Sequence, residues 1–500
     1  MIFITLSTVS AVSASSIIYV NSSHGNDNND GSSWATAKLT IANATATVDN
    51  GGTVNIANGI YKGAGNTNII INKSITIKGQ SKSGTIINGT NNSQIFKIHK
   101  SSREFMESFN IVIQNLTITN GNPIGTRGTI STDDVANDVL TVKDCIFKDN
   151  VESIYSQQDT CIVTGCTFIN NTRAITNINT ATLTVTGCNF VNNTAESGGA
   201  IDNSGTCTVT YCTFTGNYAS YEAGAIYNSG KLIAHFNQIA DYTKTNNGNN
   251  VVITRYPGIN GAICNYRGTV DAELNWWGTN VPTNLNGFTV NKWFVLTTNV
   301  NPNSVLLNTN SKITADLRYD NYGTLHTEAY LPDGIPVTFT TNLGTIISKA
   351  YIVNGIAQST FKSGLGGTAN VSAILDSQQV SKLVKVIDKV PPKVSSTNPK
   401  NKTTGFSRTA TIYIKFNENI KASTYWSKIY VKNMKTGKKS VIGKLIKGNT
   451  LQIKMSSKRY AYTWYQVYIP KAAVKDNFNN NLAAYYTFKF KTGKYPLDYE

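Results

Sequence analysis

Histidine is scarce in this chain: there are four, at 24, 99, 235 and 326, and none stands at a metal-ligand spacing from a cysteine or another histidine. No metal or other cofactor is therefore expected. Glycine-rich phosphate loops and nucleophile elbows are also missing, which removes the common nucleotide-dependent and serine-hydrolase chemistries. After the opening segment no apolar run is long enough to span a bilayer. Proline is rare, 11 in 500 residues, so the adjacent pair Pro391-Pro392 marks a stiff joint with little capacity for ladder hydrogen bonds. Acid is nearly absent from one region only. Between Lys389 and Glu500 there are 22 Lys plus Arg against four acids (Glu418, Asp476, Asp498, Glu500), or +18; the whole chain is +17, so the first 388 residues carry −1.

What the chain has in abundance is repetition. Val142-Lys-Asp-Cys-Ile-Phe-Lys-Asp-Asn150, Val163-Thr-Gly-Cys-Thr-Phe-Ile-Asn-Asn171, Val185-Thr-Gly-Cys-Asn-Phe-Val-Asn-Asn193 and Val209-Thr-Tyr-Cys-Thr-Phe-Thr-Gly-Asn217 align without gaps, their cysteines 21, 22 and 24 residues apart. Within a unit the apolar positions step two, three and two residues, as in Leu183, Val185, Cys188 and Phe190. Two period-2 pairs split by one extra residue describe two short strands meeting at a bend. A third strand opens the units at Gly199-Ala-Ile-Asp-Asn203, Gly224-Ala-Ile-Tyr-Asn228 and Gly261-Ala-Ile-Cys-Asn265. Three short strands per repeat cannot close a core alone and must stack on their neighbours. The expected fold class is all-β: a parallel β-helix followed by two β-sandwiches.

Stacking predicts three structural columns. Phe147, Phe168, Phe190 and Phe214 form one, Cys145, Cys166, Cys188 and Cys212 another, and Asn150, Asn171, Asn193 and Asn217 an amide ladder at a turn. Buried thiols acting as small hydrophobes are the simpler reading of the cysteines, although neighbouring coils stand close enough for disulfides. Cys264 follows the inward Ile263 and should point outward, where it alone would react quickly.

The segment 1–16 reads as a signal peptide, with Val12-Ser-Ala14 as the small-x-small site; it lacks a basic n-region, which is consistent with a truncated start. Trp34, Ala37, Ile41, Ala44 and Val48 then recur at helical spacing after Ser33, predicting a capping helix over the first coil. Ile18-Tyr-Val-Asn21, Gly51-Gly-Thr-Val54, Ala57-Asn-Gly-Ile-Tyr61, the Gly-Ala-Ile-x-Asn repeats and Leu274-Asn-Trp-Trp-Gly278 together resemble the adhesin-like β-helix proteins of methanogenic archaea. That resemblance covers about residues 17–295 and implies a right-handed, pectate-lyase-like parallel β-helix, a cell-surface location and a role in adhesion.

The β-helix is expected over 17–299. Residues 300–388, with Ile335-Pro-Val-Thr-Phe339 and Ala357-Gln-Ser-Thr-Phe361, resemble an invasin-type immunoglobulin-like domain. Residues 389–493, with Pro391-Pro392, Ile414-Lys-Phe-Asn-Glu418 and Thr487-Phe-Lys-Phe490, resemble an S-layer-type one, and 494–500 form a tail. Its alternation puts Lys415, Lys432, Lys454 and Lys489 opposite the packed face.

A glycosidase needs two carboxyl groups at a set separation, and the only tight acidic pair in the repeats is Asp133-Asp134, read as a turn. No catalytic residue is assigned. Arg255 and Tyr256, in the largest insertion, and Trp426 and Trp464, in the basic domain, are the candidate ligand contacts. The reading is a secreted, non-catalytic surface adhesin whose β-helix meets glycans or other cells, with residues 389–500 suited to an anionic cell-wall polymer; nothing points to nucleic acid. Two alternatives stay open: a β-helix polysaccharide lyase or hydrolase, and a structural cell-envelope component.

Overall fold

The structure, a computed structural model, describes residues 16–99, 108–125, 127–132, 138–240, 262–282 and 285–494. The leader read at 1–16, apart from Ser16, lies outside the described residues, as do Asp133, Asp134, Arg255 and Tyr256.

Residues from Ile17 onward wind into a parallel β-helix with sheets of ten, nine and eight strands. One coil runs Val139–Lys143, Ile146–Lys148, Ile154–Gln157, and each strand pairs in register with its counterpart in the next coil. The bend between the first two strands is turned by a left-handed residue in successive coils: Asp144, Gly165, Gly187 and Tyr211, φ +52° to +64°. Glycine and Asp enter this region cheaply and Tyr does not. The residue after each bend, Cys145, Cys166, Cys188 or Cys212, then turns fully inward.

The Asn-Asn dipeptides have the same logic. Asn170 and Asn192 take φ +54°, and this aims Asn171 and Asn193 into the core. Asn150, Asn171 and Asn193 each donate from Nδ2 to the Oδ1 of the next coil's asparagine, ending at Asn217, at 3.0, 2.9 and 2.9 Å. Each side chain also donates to a carbonyl and accepts a backbone N–H, so the buried amides are satisfied. Phe147, Phe168, Phe190 and Phe214 stack with centroids 4.8 to 4.9 Å apart and rings within 7° of parallel. A second ladder, Asn177, Asn203, Asn228 and Asn265, closes the turn after the third strand. There Gly230 lies so close to the coil before it that a Cβ would meet the Gly205 carbonyl oxygen at 2.1 Å. All seven cysteines are unpaired and buried.

The cap over the first coil is shorter than the spacing predicts. The α-helix spans Ile41–Thr47 with Thr40, not Ser33, as N-cap. Ser33 Oγ accepts from Thr36 N, but only one turn forms. Pairing with the first strand overrides helical periodicity: Lys38 N donates to Tyr19 O, and Asn21 N to Lys38 O. Trp34 stays 45% exposed, edge-on to Tyr19.

Two β-sandwiches follow, antiparallel except where Ser304–Leu306 pairs parallel with Gln378–Ile387, each with its own core. The first opens with Phe294–Asn301 paired to Asn310–Asp320 and packs Phe294, Phe339 and Phe361 at its centre. The second sets Val394–Asn398, Ile412–Phe416, Thr450–Met455 and Ile442–Lys447 against Tyr430–Asn433, Trp464–Ile469 and Tyr486–Lys491. Arg459, 1% exposed, lies inside it with no carboxylate partner among the described residues; its guanidinium donates to the Ser407 and Ala410 carbonyls and faces Phe406 and Phe490. Among the described residues no helix is long and apolar enough to cross a membrane.

Candidate functional site

The phenylalanine, cysteine and asparagine columns are interior, so surface chemistry on the β-helix must come from the alternate positions. On the nine-stranded sheet, isoleucines 130, 154, 175, 201, 226 and 263 point inward. Between them a column facing away from the core runs in register through Ser131, Tyr155, Thr176, Asp202, Tyr227, Cys264 and Asn286, of which only Asp202, Tyr227 and Asn286 are partly exposed and the others are buried. Coil stacking spaces these groups by about 4.8 Å.

The turn before this sheet adds charge. Glu152, 7% exposed, accepts from Gly128 N at 3.0 Å and Thr176 Oγ1 at 2.7 Å, and its Oε1 lies 3.7 Å from the Arg173 guanidinium. Burial pushes the Asp202 carboxyl above its ordinary range; Glu152 adds to the rise, while Arg173 and Arg127 oppose it. Arg127 lies over the Tyr155 ring, 5.4 Å from its centroid. One side of the column carries a further two-stranded sheet, Thr194–Ser197 with Tyr218–Glu222. Burial, reinforced by Glu222, pushes Tyr227 up to about 12. Tyr227 stacks on Tyr266, which Arg267 covers.

This cluster is what sequence reasoning missed. Asp133-Asp134 drew attention as neighbours in sequence, whereas Glu152 and Asp202 are drawn together by the winding. The signal was present in the third-strand alignment, where Asp202 occupies the variable position between inward Ile201 and Asn203. Cys264 corrects the expectation of a fast thiol. It lies on the outward side, as alternation requires, yet is 3% exposed beneath Glu222 and beside Asn286. Burial, with Glu222 opposing the thiolate, pushes it up to about 11.

In the basic sandwich, Trp426 begins the 3₁₀ turn Trp426–Lys428 and packs partly on the core; Lys444 Nζ lies over its ring at 5.0 Å and donates to its carbonyl at 2.6 Å. Trp464 sits on the outer side of Trp464–Ile469 with Lys489 Nζ 5.5 Å from its ring centre. Each tryptophan therefore has a lysine of its own. At the joint between the sandwiches, carboxylate oxygens of Asp388, Glu418 and Asp476 lie within 4.8 Å of one another, a set that could hold a cation. Asp476 is already engaged by Phe478 N and Asn480.

Residues 388–492 match the family model of the bacterial Ig-like domain. No curated protein sequence matches the chain. Among solved structures, the adhesin InvE of Yersinia pseudotuberculosis is 15% identical over 39% of this chain and 60% of its own, with a TM-score of 0.26. Invasin, a bacterial integrin-binding protein, is 15% identical over 40% of this chain and 39% of its own, with a TM-score of 0.25. A tandem fragment of titin, A168–A169, scores 0.23 at 14% identity over 38% of this chain and 92% of its own. Likeness at this level assigns neither partner nor activity.

Proposed function

We propose that this chain is a secreted, non-catalytic cell-surface adhesin in which the β-helix is the contact element and the two sandwiches carry it. The observation that carries this reading is the outward column of the nine-stranded sheet. Rigid coils set Tyr155, Thr176, Asp202 and Tyr227 in line, with Arg127, Glu152 and Arg173 beside them. The partly exposed Tyr227 offers a phenol edge and hydroxyl to a sugar, and the Arg127 and Arg173 guanidiniums offer hydrogen bonds for its hydroxyls. A repeat near 4.8 Å presents a new set of groups about once per ring of an extended saccharide. Glycans on a wall or on another cell are the ligand class this suits. The bacterial Ig-like match and the resemblance to methanogen adhesin-like proteins support a surface location.

Binding of the whole protein to an array of glycans tests this, with Arg127→Ala/Tyr227→Ala, both at least partly exposed, beside it. Loss of roughly tenfold or more in affinity for the glycans retained by the parent protein is expected, as for removal of central Tyr and Arg contacts. Unchanged binding by the variant would move the contact surface elsewhere, and no retained glycan at all would remove glycans as the ligand class.

The Glu152 and Asp202 pairing favours one second reading, a β-helix polysaccharide lyase or hydrolase, because a buried acid beside a second carboxylate is what acid chemistry uses. Release of sugar products that stops in Asp202→Asn, with binding retained, would establish it over the non-catalytic one.

A further inference from the structure

We infer that the open groove along the edges of Tyr430–Asn433 and Ile442–Lys447 in the last sandwich is a binding site for an anionic saccharide chain. This rests on reading residues 389–500 as the part that meets anionic polymer, and names the place and the chemistry. The groove encloses about 680 Å³ and is lined by Lys428, Lys439, Lys444, Lys471, Tyr430 and Tyr468, among others. Its floor is aromatic. Tyr430 stacks on Tyr468 with centroids 5.0 Å apart, and Tyr485 continues the stack at 5.7 Å. Above it Lys439 Nζ stands 4.5 Å from the centre of the Tyr430 ring.

Among the described residues none of the four lysines forms an ion pair. The domain's two described acids, Glu418 and Asp476, are gathered instead with Asp388 at the joint. Four cations around one hollow with no internal counter-charge repel one another, and burial lowers the Lys444 pKa. An anion in the groove relieves both penalties.

The lining favours a sugar acid over other polyanions. Every charge is a lysine, a compact point charge that suits isolated carboxylates along a chain, while the planar arginine fork that grips phosphate in two places is missing from the lining. The tyrosine faces are taken by one another and by Lys439, so the phenols meet a sugar through their edges and hydroxyls. A lysine turned inward on an edge strand also guards against edge-to-edge pairing. That explains Lys444 on Ile442–Lys447 but not Lys428, Lys439, Lys471 or the tyrosine stack.

The test is binding of polygalacturonate to the full-length protein at low salt and at about 0.5 M salt, where exposed charges are strongly screened. Two triple variants are compared: Lys428→Ala/Lys439→Ala/Lys471→Ala in the groove, and Lys415→Ala/Lys421→Ala/Lys454→Ala, which are exposed and outside the groove lining. Near-identical thermal melts establish that both are folded. The groove triple should weaken low-salt binding by about tenfold or more and the distant triple by less than about twofold. Tyr430→Ala/Tyr468→Ala should weaken binding while leaving its salt dependence near that of the parent. Equal losses in both lysine triples would overturn the groove while leaving a diffusely charged polymer-binding domain. No binding by the parent protein at low salt would overturn that domain reading and the groove together. Poly(glycerol phosphate) and single-stranded DNA serve as competitors, and displacement by either at lower concentration than by polygalacturonate would overturn the sugar-acid class.

Discussion

Trp276 Nε1 donates to Asp376 Oδ2 at 2.6 Å, tying the last coil of the β-helix to the tip of a hairpin 100 residues later. Gln238 Nε2 donates to the same carboxylate. The two tryptophans of Leu274-Asn-Trp-Trp-Gly278 are shared out, Trp277 to the β-helix core and Trp276, fully buried, to the core of the first sandwich. The open end of the solenoid is thus covered by the next module. Trp276→Ala should cost about 3–5 kcal/mol, the range for removing a large buried ring. Asp376→Ala should cost about 1–3 kcal/mol by stranding a buried indole N–H. Urea unfolding followed separately in the two modules checks this. Coincident transitions should separate in Trp276→Ala; a loss below about 1 kcal/mol would mean that the joint is not held there.

Neighbouring asparagines of the repeat should respond to substitution in opposite ways. Asn193→Ala removes the acceptor for both the Asn171 backbone N–H and its Nδ2, and a donor to the Phe168 carbonyl, all buried. Several stranded groups at about 1–3 kcal/mol each make this among the most damaging single changes in the β-helix. Asn192→Gly, at φ +54° and exposed, relieves a left-handed residue and should be neutral or slightly stabilising. Chemical denaturation of the two variants gives the comparison, and similar midpoints would contradict the roles assigned to the pair.

The coil architecture was legible because its signal is periodic: Val185, Cys188 and Phe190 each recur in the neighbouring coils, and in-register stacking converts recurrence directly into columns. The outward column was not legible for the complementary reason. Tyr155, Thr176, Asp202 and Tyr227 differ from coil to coil, so alignment treats them as noise although the winding makes them neighbours. Ser33 misled because helical spacing is a local property and the pairing of Lys38 with the first strand is not. Trp426 and Trp464 were visible as aromatics in a basic domain, whereas the Tyr430 and Tyr468 stack depends on strand pairing that spacing cannot supply.

The thiols give a direct check of packing. All seven are buried, and burial pushes Cys161 up to about 12 and Cys264 up to about 11. The thiolate is the reactive form, so at neutral pH alkylation of the native protein should be slow at every cysteine, and complete at all seven only after denaturation. Mass spectrometry after brief labelling decides it. Rapid modification of Cys264 alone would show that Glu222 and Asn286 do not cover it in solution.

Asp202 and Glu152 should respond to neutralisation with opposite signs. The folded Asp202 has a pKa above its ordinary 3.8, chiefly through burial, so the native state holds the proton more tightly than the unfolded chain does. By linkage, its contribution to stability is fully present below the unfolded pKa and is lost as pH rises through the folded one. At neutral pH the charged carboxylate is therefore a cost, and Asp202→Asn, nearly the same shape, should raise the melting temperature. That gain should shrink towards zero near pH 3, where the parent residue is itself protonated. Glu152 differs because its charge is used: Gly128 N, Thr176 Oγ1 and Arg173 all face it. Glu152→Gln weakens these contacts and should cost about 1–3 kcal/mol at neutral pH. Melting curves of the three proteins from pH 3 to pH 8 separate the cases. A lower melting temperature for Asp202→Asn at neutral pH would mean that Arg173 and Arg127 outweigh burial, making Asp202 a structural ion-pair partner instead of an acid held under strain on the binding face.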